Sequence, residues 1–228
     1  MTTNKAVPVI TIDGPSGSGK ETVSLLLAQK LGWHFLDSGC LYRVLALAAS
    51  QQQISLENVE ELTDLASRLK VEFKATGVGE PSKILLDNQD VSEAIRSEQC
   101  GNDASKLAVY ASVRSALVEQ QRAFRKNPGL VTDGRDMGSV IFPDALVKIF
   151  LMASMEERAN RRYKQLKEQG KNVTFEKLLE EMAERDVRDQ ERAIAPLKPA
   201  QDAICIDTTG LSIDNVLMRV IEEISNFG

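Results

Sequence analysis

Nine residues, Gly14-Pro15-Ser16-Gly17-Ser18-Gly19-Lys20-Glu21-Thr22, constrain this chain more than any other stretch. An apolar run, Val7 to Ile12, leads into them, and a helical pattern, Val23 to Leu31, leads out. A strand, a glycine-rich loop and a helix in that order turn successive backbone N–H groups into one concavity, to which the helix adds the positive end of its dipole. Such a nest binds phosphate. Lys20 places a compact charge on the terminal phosphates, and Thr22 brings a hydroxyl to where Mg²⁺ must sit. A plain tight turn would leave the lysine and both flanking elements without a purpose.

The hydroxyl comes one residue later than in the general P-loop pattern, because Glu21 stands between lysine and threonine. Its carboxylate would repel phosphate if it pointed inward. Glu21 is therefore expected to face solvent at the first helical turn, where an acidic side chain suits the dipole.

With 228 residues, 43% of them hydrophobic, the chain can bury a full core as one domain, or as one domain with a large insertion. A net charge of -5 argues against a nucleic-acid polymer as partner. Cys40, Cys100 and Cys205 are far apart and form no CxxC, which suits a reducing compartment and argues against structural zinc. No secretory leader and no bilayer-length apolar run is visible, so the reading is cytoplasmic, with no membrane partner. The one histidine, His34, sits between Trp33 and Phe35 and reads as a packed side chain rather than a catalyst.

Further along, Gly32 stops the first helix, and Trp33 to Leu36 forms a strand ending at Asp37-Ser38-Gly39. Polar groups at the carboxyl end of a parallel strand stand where open α/β sheets bind ligands, although Asp37 and Ser38 read equally well as a cap for a helix over Leu41 to Ala49. Tyr42 and Arg43, on that helix's first turns, reach the same rim. A helical stripe covers Ser55 to Leu69. Short strands are expected at Val71 to Ala75 and Lys83 to Leu86, around turns at 76–82 and 87–90. Two strands without a helix between them break the βαβ rhythm, so residues 60–105 are expected to be an inserted, partly antiparallel subdomain. One long helix follows from Asn102 to Arg125, with Ser105 and Arg114 projecting away from its buried stripe.

Leu130 to Thr132 then delivers Asp133-Gly134-Arg135-Asp136, an acidic position after an apolar strand that suits Mg²⁺ or its waters. Position alone does not separate Asp133 from Asp136. After a strand at Val147 to Leu151, a capping box at Ser154 to Glu157 opens a helix with Arg158, Arg161 and Arg162. Gly170 stops it. A second helix, Phe175 to about Arg192, places Arg185, Asp189 and Arg192 on one face, with Arg188 nearby. Guanidiniums match phosphate oxygens bidentately, so two basic helices spanning 156–192 form a lid that closes over a polyphosphate. A last strand at Ala203 to Asp207 and an amphipathic helix at Ile213 to Phe227 complete an α/β, doubly wound parallel sheet.

GPSGSGK, LDSG-x-LYR, DGRDMGSVIFPDA, SxEERAxRR and ERDxRDxxRAxAPL, in this order, resemble the bacterial cytidylate kinases among the P-loop nucleoside monophosphate kinases. The resemblance implies transfer of the γ-phosphoryl of ATP, with Mg²⁺, to CMP or dCMP, and it identifies the β-rich insertion as the monophosphate-binding region. On it, Gly14 to Thr22 holds ATP, and Ser38, Ser105, Arg114 and Asp136 meet the pyrimidine monophosphate and its base. Arg43, Arg135 and Arg192 grip its phosphate, Arg185 and Asp189 read its sugar, and Tyr42 belongs to the same pocket. Arg158, Arg161 and Arg162 belong to the lid over ATP, and Lys20, Arg135, Arg162 and Arg192 are the groups expected to act on the transferred phosphoryl. Glu21 departs from the glycine common in this family. Two other readings remain: a P-loop kinase for another small acceptor such as UMP, and a nucleotide-dependent switch, against which stands the lack of an NKxD-type motif. A monomer is the simpler expectation.

Overall fold

The apolar runs near residues 8, 34, 130, 148 and 204 become the strands of one sheet in the computed structural model, which describes residues 6–74 and 82–226. In chain order the strands are β1 (Val9–Asp13), β2 (His34–Asp37), β3 (Val71–Lys74), β4 (Lys83–Leu86), β5 (Gln89–Asp90), β6 (Leu130–Gly134), β7 (Val147–Met152) and β8 (Ile204–Asp207). The helices are α1 (Lys20–Leu31), α2 (Ser38–Gln51), α3 (Val59–Ser67), α4 (Glu98–Leu107), α5 (Ala111–Arg122), α6 (Met155–Glu168), α7 (Phe175–Glu191) and α8 (Ile213–Ser225).

The large sheet has the order β2-β6-β1-β7-β8 and every pairing is parallel. Helices cover both faces, which is why β1 is buried along its whole length and reads as a continuous apolar run. Ile10, Ile12, Val131 and Ile149 pack with α1 and α8 on one side. Val9, Leu36 and Leu130 pack with Leu41, Met137, Ile141 and Phe142 on the other. The register sets Asp13 opposite Gly134, and Asp37 and Ile12 opposite Asp133, so three acidic strand ends finish almost level. That edge carries the site.

The separate sheet β3-β4-β5 is antiparallel and shares a core with α2, α3, α4 and α5. Ala75, all but Ser82 of the turn expected at 76–82, and Phe227 lie outside the described residues. Helices α6 and α7 form a hairpin with a small core of Ala159, Leu166, Leu178 and Met182.

Three local expectations are corrected. The helix expected from Ser55 begins at Val59, because the Asn58 side chain accepts from the Glu61 backbone N–H at 3.3 Å and caps it there. The single helix expected over 102–125 is two, α4 and α5, hinged where Tyr110 takes an extended backbone conformation. The break turns α5 so that Arg114 points back into the sheet edge, where its Nη1 donates to the Ala108 carbonyl at 3.3 Å. His34 is exposed rather than packed, with Nε2 at 2.9 Å from the Asn127 carbonyl.

Candidate active site

The loop between β1 and α1 is shaped by close approaches that only glycine allows. Gly17 has φ +76°, and a Cβ there would stand 2.9 Å from the Arg158 carbonyl oxygen. A Cβ on Gly14 would stand 2.3 Å from the Leu151 carbonyl oxygen. The loop is thereby pressed between β7 and α6, and Gly19, also at positive φ, starts α1 at Lys20. Lys20 is buried and curls back, its Nζ donating to the Pro15 carbonyl at 3.2 Å. Burial, reinforced by the Arg135 guanidinium, lowers its pKa from 10.5 to about 8.

In front of the loop lies a cleft of about 480 Å³, lined among others by Ser16, Gly17, Gly19, Lys20, Glu21, Thr22, Asp133, Arg135, Arg161, Arg162 and Arg185. Gly14, Pro15 and Ser18 stand behind it as loop scaffold: Gly14 N–H donates to the Gly134 carbonyl at 3.3 Å, and buried Ser18 offers its carbonyl to Thr208 Oγ1 at 3.3 Å. Glu21 is solvent-exposed as expected, yet it lines the cleft instead of pointing away from it. The neighbouring Asp37 carboxylate is the main reason its pKa is raised. Asp37 also caps α2 by accepting from the Cys40 N–H at 3.2 Å, while Ser38 is buried in a second pocket, so both readings of this pair hold in part.

The second pocket adjoins the first. Ser38, Tyr42, Ser105, Arg114, Asp136, Asp189 and Arg192 line it, and Gly39, Gly134, Arg135 and Arg185 belong to both spaces. Two buried carboxylates organise it. Asp136 accepts from Arg114 on one oxygen and from Arg192 Nη2, at 3.3 Å, on the other. Asp189 accepts from Arg135 Nε at 2.8 Å and from Ser105 Oγ at 3.0 Å. Burial alone would raise the pKa of Asp189, but Arg135 and Arg185 outweigh it and hold it below the usual range. For Arg185 the balance falls the other way: burial, followed by repulsion from Arg135, outweighs the attraction of Asp189 and lowers it to about 9, and its buried Nε has no hydrogen-bond partner. An anion placed beside Arg185 would relieve it, whereas Arg135 already has Asp189 as its counter-charge.

The structure separates the two aspartates that position could not. Asp133 ends β6 in the cleft, buried, with Oδ1 lacking a partner, and burial followed by Asp37 repulsion raises its pKa well above normal. Asp136 belongs to the second pocket. Thr22 lines the cleft, so Thr22 and Asp133 suit a divalent cation on the donor side. Among the described residues, no three His, Cys, Asp or Glu side chains are grouped closely enough to hold a metal ion by themselves.

Lid residues are only partly where expected. Arg158 does not line the cleft; it is buried and donates to the Ser16 carbonyl at 3.1 Å, the Ala153 carbonyl at 3.1 Å and Asp186 at 2.6 Å. It is a strut between loop, α6 and α7 because its guanidinium satisfies backbone carbonyls that glycine flexibility exposes. Arg161 lines the cleft but donates to the Thr208 carbonyl at 2.6 Å and the Ser18 carbonyl at 3.4 Å. Arg162 reaches across to Glu98 on α4, with Nε at 2.8 Å from Oε1. Arg43 donates to the Ile95 carbonyl at 2.8 Å.

Sequence reasoning missed Glu98, Asp186, Thr208 and Asp13. Asp13 caps the turn at Met137–Ile141 by accepting from the Met137 and Gly138 N–H groups, each at 2.9 Å, and burial raises its pKa to about 6. The signal for Asp13 and Thr208 was their place just at or beyond the ends of β1 and β8; Glu98 and Asp186 carried none.

Residues 10–226 match the family model described as cytidylate kinase. A protein of Stutzerimonas stutzeri named cytidylate kinase is 59% identical over 222 residues, 97% of each chain. Another of that name, from Aeromonas hydrophila, is 58% identical over 214 residues, 94% of this chain and 92% of its own. Among solved structures, an uncharacterized protein from Eubacterium ventriosum superposes with TM-score 0.50 at 14% identity, covering 96% of this chain and 99% of that one, which supports the fold alone.

Proposed function

The chain belongs to the cytidylate kinase family, and from that premise we propose that it transfers the γ-phosphoryl group of ATP to CMP and dCMP, giving CDP and dCDP. The observation that carries the reading is the shared wall of the two pockets: Arg135 and Arg185 line both, so a donor's terminal phosphate and an acceptor's phosphate meet there.

The acceptor nucleophile is a phosphate oxygen, already ionised, so the site needs no strong general base, and the exposed His34 takes no part. Catalysis is then positioning and charge stabilisation. The phosphate loop holds the donor through its N–H groups, and Lys20 leaves the Pro15 carbonyl to meet the donor's terminal oxygens. Arg135 and Arg192, with Arg43 and Arg185 beside them, hold the acceptor phosphate in line and balance the charge spread over the moving group. Arg162 completes the cage from the lid after exchanging Glu98 for phosphate. Mg²⁺, when bound, supplies further positive charge on the donor oxygens, and Thr22 and Asp133 would hold it, the unpartnered Asp133 Oδ1 being the fitting ligand or water acceptor. Residues 60–105 work as the monophosphate-binding region and 156–192 as the lid. No helix among the described residues is long and apolar enough to cross a membrane.

The test is ADP formation from Mg-ATP with CMP, dCMP, UMP, AMP, GMP or no acceptor. A strong rise with CMP and dCMP over all others is expected. Equal ADP release with and without every acceptor would refute the assignment.

A further inference from the structure

Glu21 is the only acidic residue in Gly14 to Thr22, and its charge has the wrong sign for a phosphate loop. It is exposed and lines the donor cleft beside Lys20 and Thr22, and among the described residues no cation lies within 4.0 Å of its carboxylate. Two more carboxylates share the cleft without a cationic partner: Asp37 at the end of β2 and Asp133 at the end of β6. The three act on one another. Asp37 is the largest charge repelling Glu21, and both Asp37 and Glu21 repel Asp133. Asp133 is 2% exposed and its Oδ1 has no hydrogen-bond partner. A site for a polyphosphate therefore presents, beside its lysine, three carboxylates that repel each other and would repel the ligand.

A cation removes the conflict. In the general P-loop pattern the residue after the lysine carries the hydroxyl that meets Mg²⁺, and the acidic residue after an apolar strand meets the same ion or its waters. Here Glu21 and Asp133 hold those two places, so a full negative charge stands where a neutral hydroxyl is usual. Mg²⁺ keeps several waters and joins one or two carboxylates to substrate phosphates. The carboxylates therefore need not enclose an ion by themselves, in keeping with the lack of a closed metal cage among the described residues. A polyphosphate without its cation meets the Glu21 charge directly; one that arrives with it meets Glu21 through positive charge or bound water.

We infer that Glu21 is a specificity-determining residue of the donor site, one that repels metal-free ATP and accepts Mg-ATP. The inference rests on the proposed reading of the loop as an ATP site and adds to it the residue that makes nucleotide binding depend on the cation. A carboxylate that only complemented the dipole of α1 would act on both forms of the nucleotide alike.

The experiment measures Kd for ATP by calorimetry at neutral pH without acceptor, once in excess Mg²⁺ and once in excess EDTA, for the wild type, Glu21→Gln, Glu21→Ser and Glu21→Asp. Removing a like charge beside the phosphates is expected to tighten binding of metal-free ATP about tenfold in Glu21→Gln. Mg-ATP should bind no tighter than to the wild type, so the ratio of the two Kd values falls by about the same tenfold. Glu21→Ser, also neutral, should give the same fall, and Glu21→Asp, which keeps the charge, should hold most of the wild-type ratio. A wild-type ratio in a neutral variant overturns the inference, whether both forms are unaffected, both tighten or both weaken together. So does a ratio in Glu21→Asp as low as in Glu21→Gln. Thermal unfolding of each variant without ligand identifies any folding defect; either neutral variant that folds decides, and Glu21→Asp decides should neither fold. Failure of the kinase reading is distinguishable, since the wild type would then release no extra ADP with CMP while its Kd ratio is still measured; no ATP binding in either condition overturns both.

Discussion

Asp136→Ala is the perturbation for which the structure gives the clearest magnitude. The carboxylate is buried and is flanked by Arg114 and Arg192, whose side chains are 6% and 2% exposed. Removing it leaves two guanidiniums facing each other with no counter-charge. Breaking a buried ion pair from one side costs about 3–5 kcal/mol, because the remaining charge is desolvated and unpaired. Since the second pocket opens to water beside these groups, the lower end applies: about 3 kcal/mol. For a chain of this size that lowers the unfolding midpoint by about 6–12 °C. Urea unfolding of the ligand-free protein measures it, with the m-value checked for constancy. Adding Arg114→Met removes one of the two orphaned charges and should restore about half of the loss. A cost below about 1 kcal/mol, or a second substitution that deepens the loss, would refute the claim that Asp136 balances these arginines.

Three further outcomes are expected. Lys20 titrates near 8 when folded against 10.5 unfolded, so the ligand-free fold binds fewer protons than the unfolded chain between those values and this group makes stability rise with pH across that window. A nucleotide restores the ammonium form, so binding at about pH 8.5 should take up protons, read by calorimetry in buffers of different ionisation heat, and Lys20→Met should abolish the uptake. Gly17→Ala places a methyl 2.9 Å from the Arg158 carbonyl at φ +76°, and should raise KM for ATP and lower stability more than Gly170→Ala, where φ is +71° but nothing lies within 4 Å; that control should lose only about 1 kcal/mol on urea unfolding. Glu98→Gln releases Arg162 from its ion pair and should tighten ATP binding a few-fold by calorimetry, with an unchanged Kd telling against the exchange of Glu98 for phosphate.

Much of the site was legible because its chemistry is local. The glycine spacing of 14–19, the lysine after it and the apolar strand before it depend on neighbours in sequence, and so does the Ser154 cap of α6. The strand ends at Asp37 and Asp133 could be placed because parallel sheets present ligands at that edge. What could not be read is which of many arginines meets which carboxylate, since Arg114 with Asp136, Arg135 with Asp189 and Arg162 with Glu98 join distant elements. Arg158 looked identical in sequence to a phosphate ligand and is a strut. The hinge at 108–110 contains neither proline nor glycine, only an Ala-Val-Tyr run of middling helix propensity that tertiary pairing through Arg114 overrides.

The anchoring of α6 gives the proposed lid a mechanical character. Arg158 and Arg161 fasten its first two turns to the Ser16 and Ser18 carbonyls, on the very loop that receives phosphate. The helix is therefore fastened at its base to the phosphate-loop backbone, while its far half leans on α7 through Leu166 and on Glu98 of α4 through Arg162. In the proposed kinase, then, the donor loop and the base of the proposed lid share one pair of guanidinium bolts, so neither can be repositioned without straining the other's hydrogen bonds.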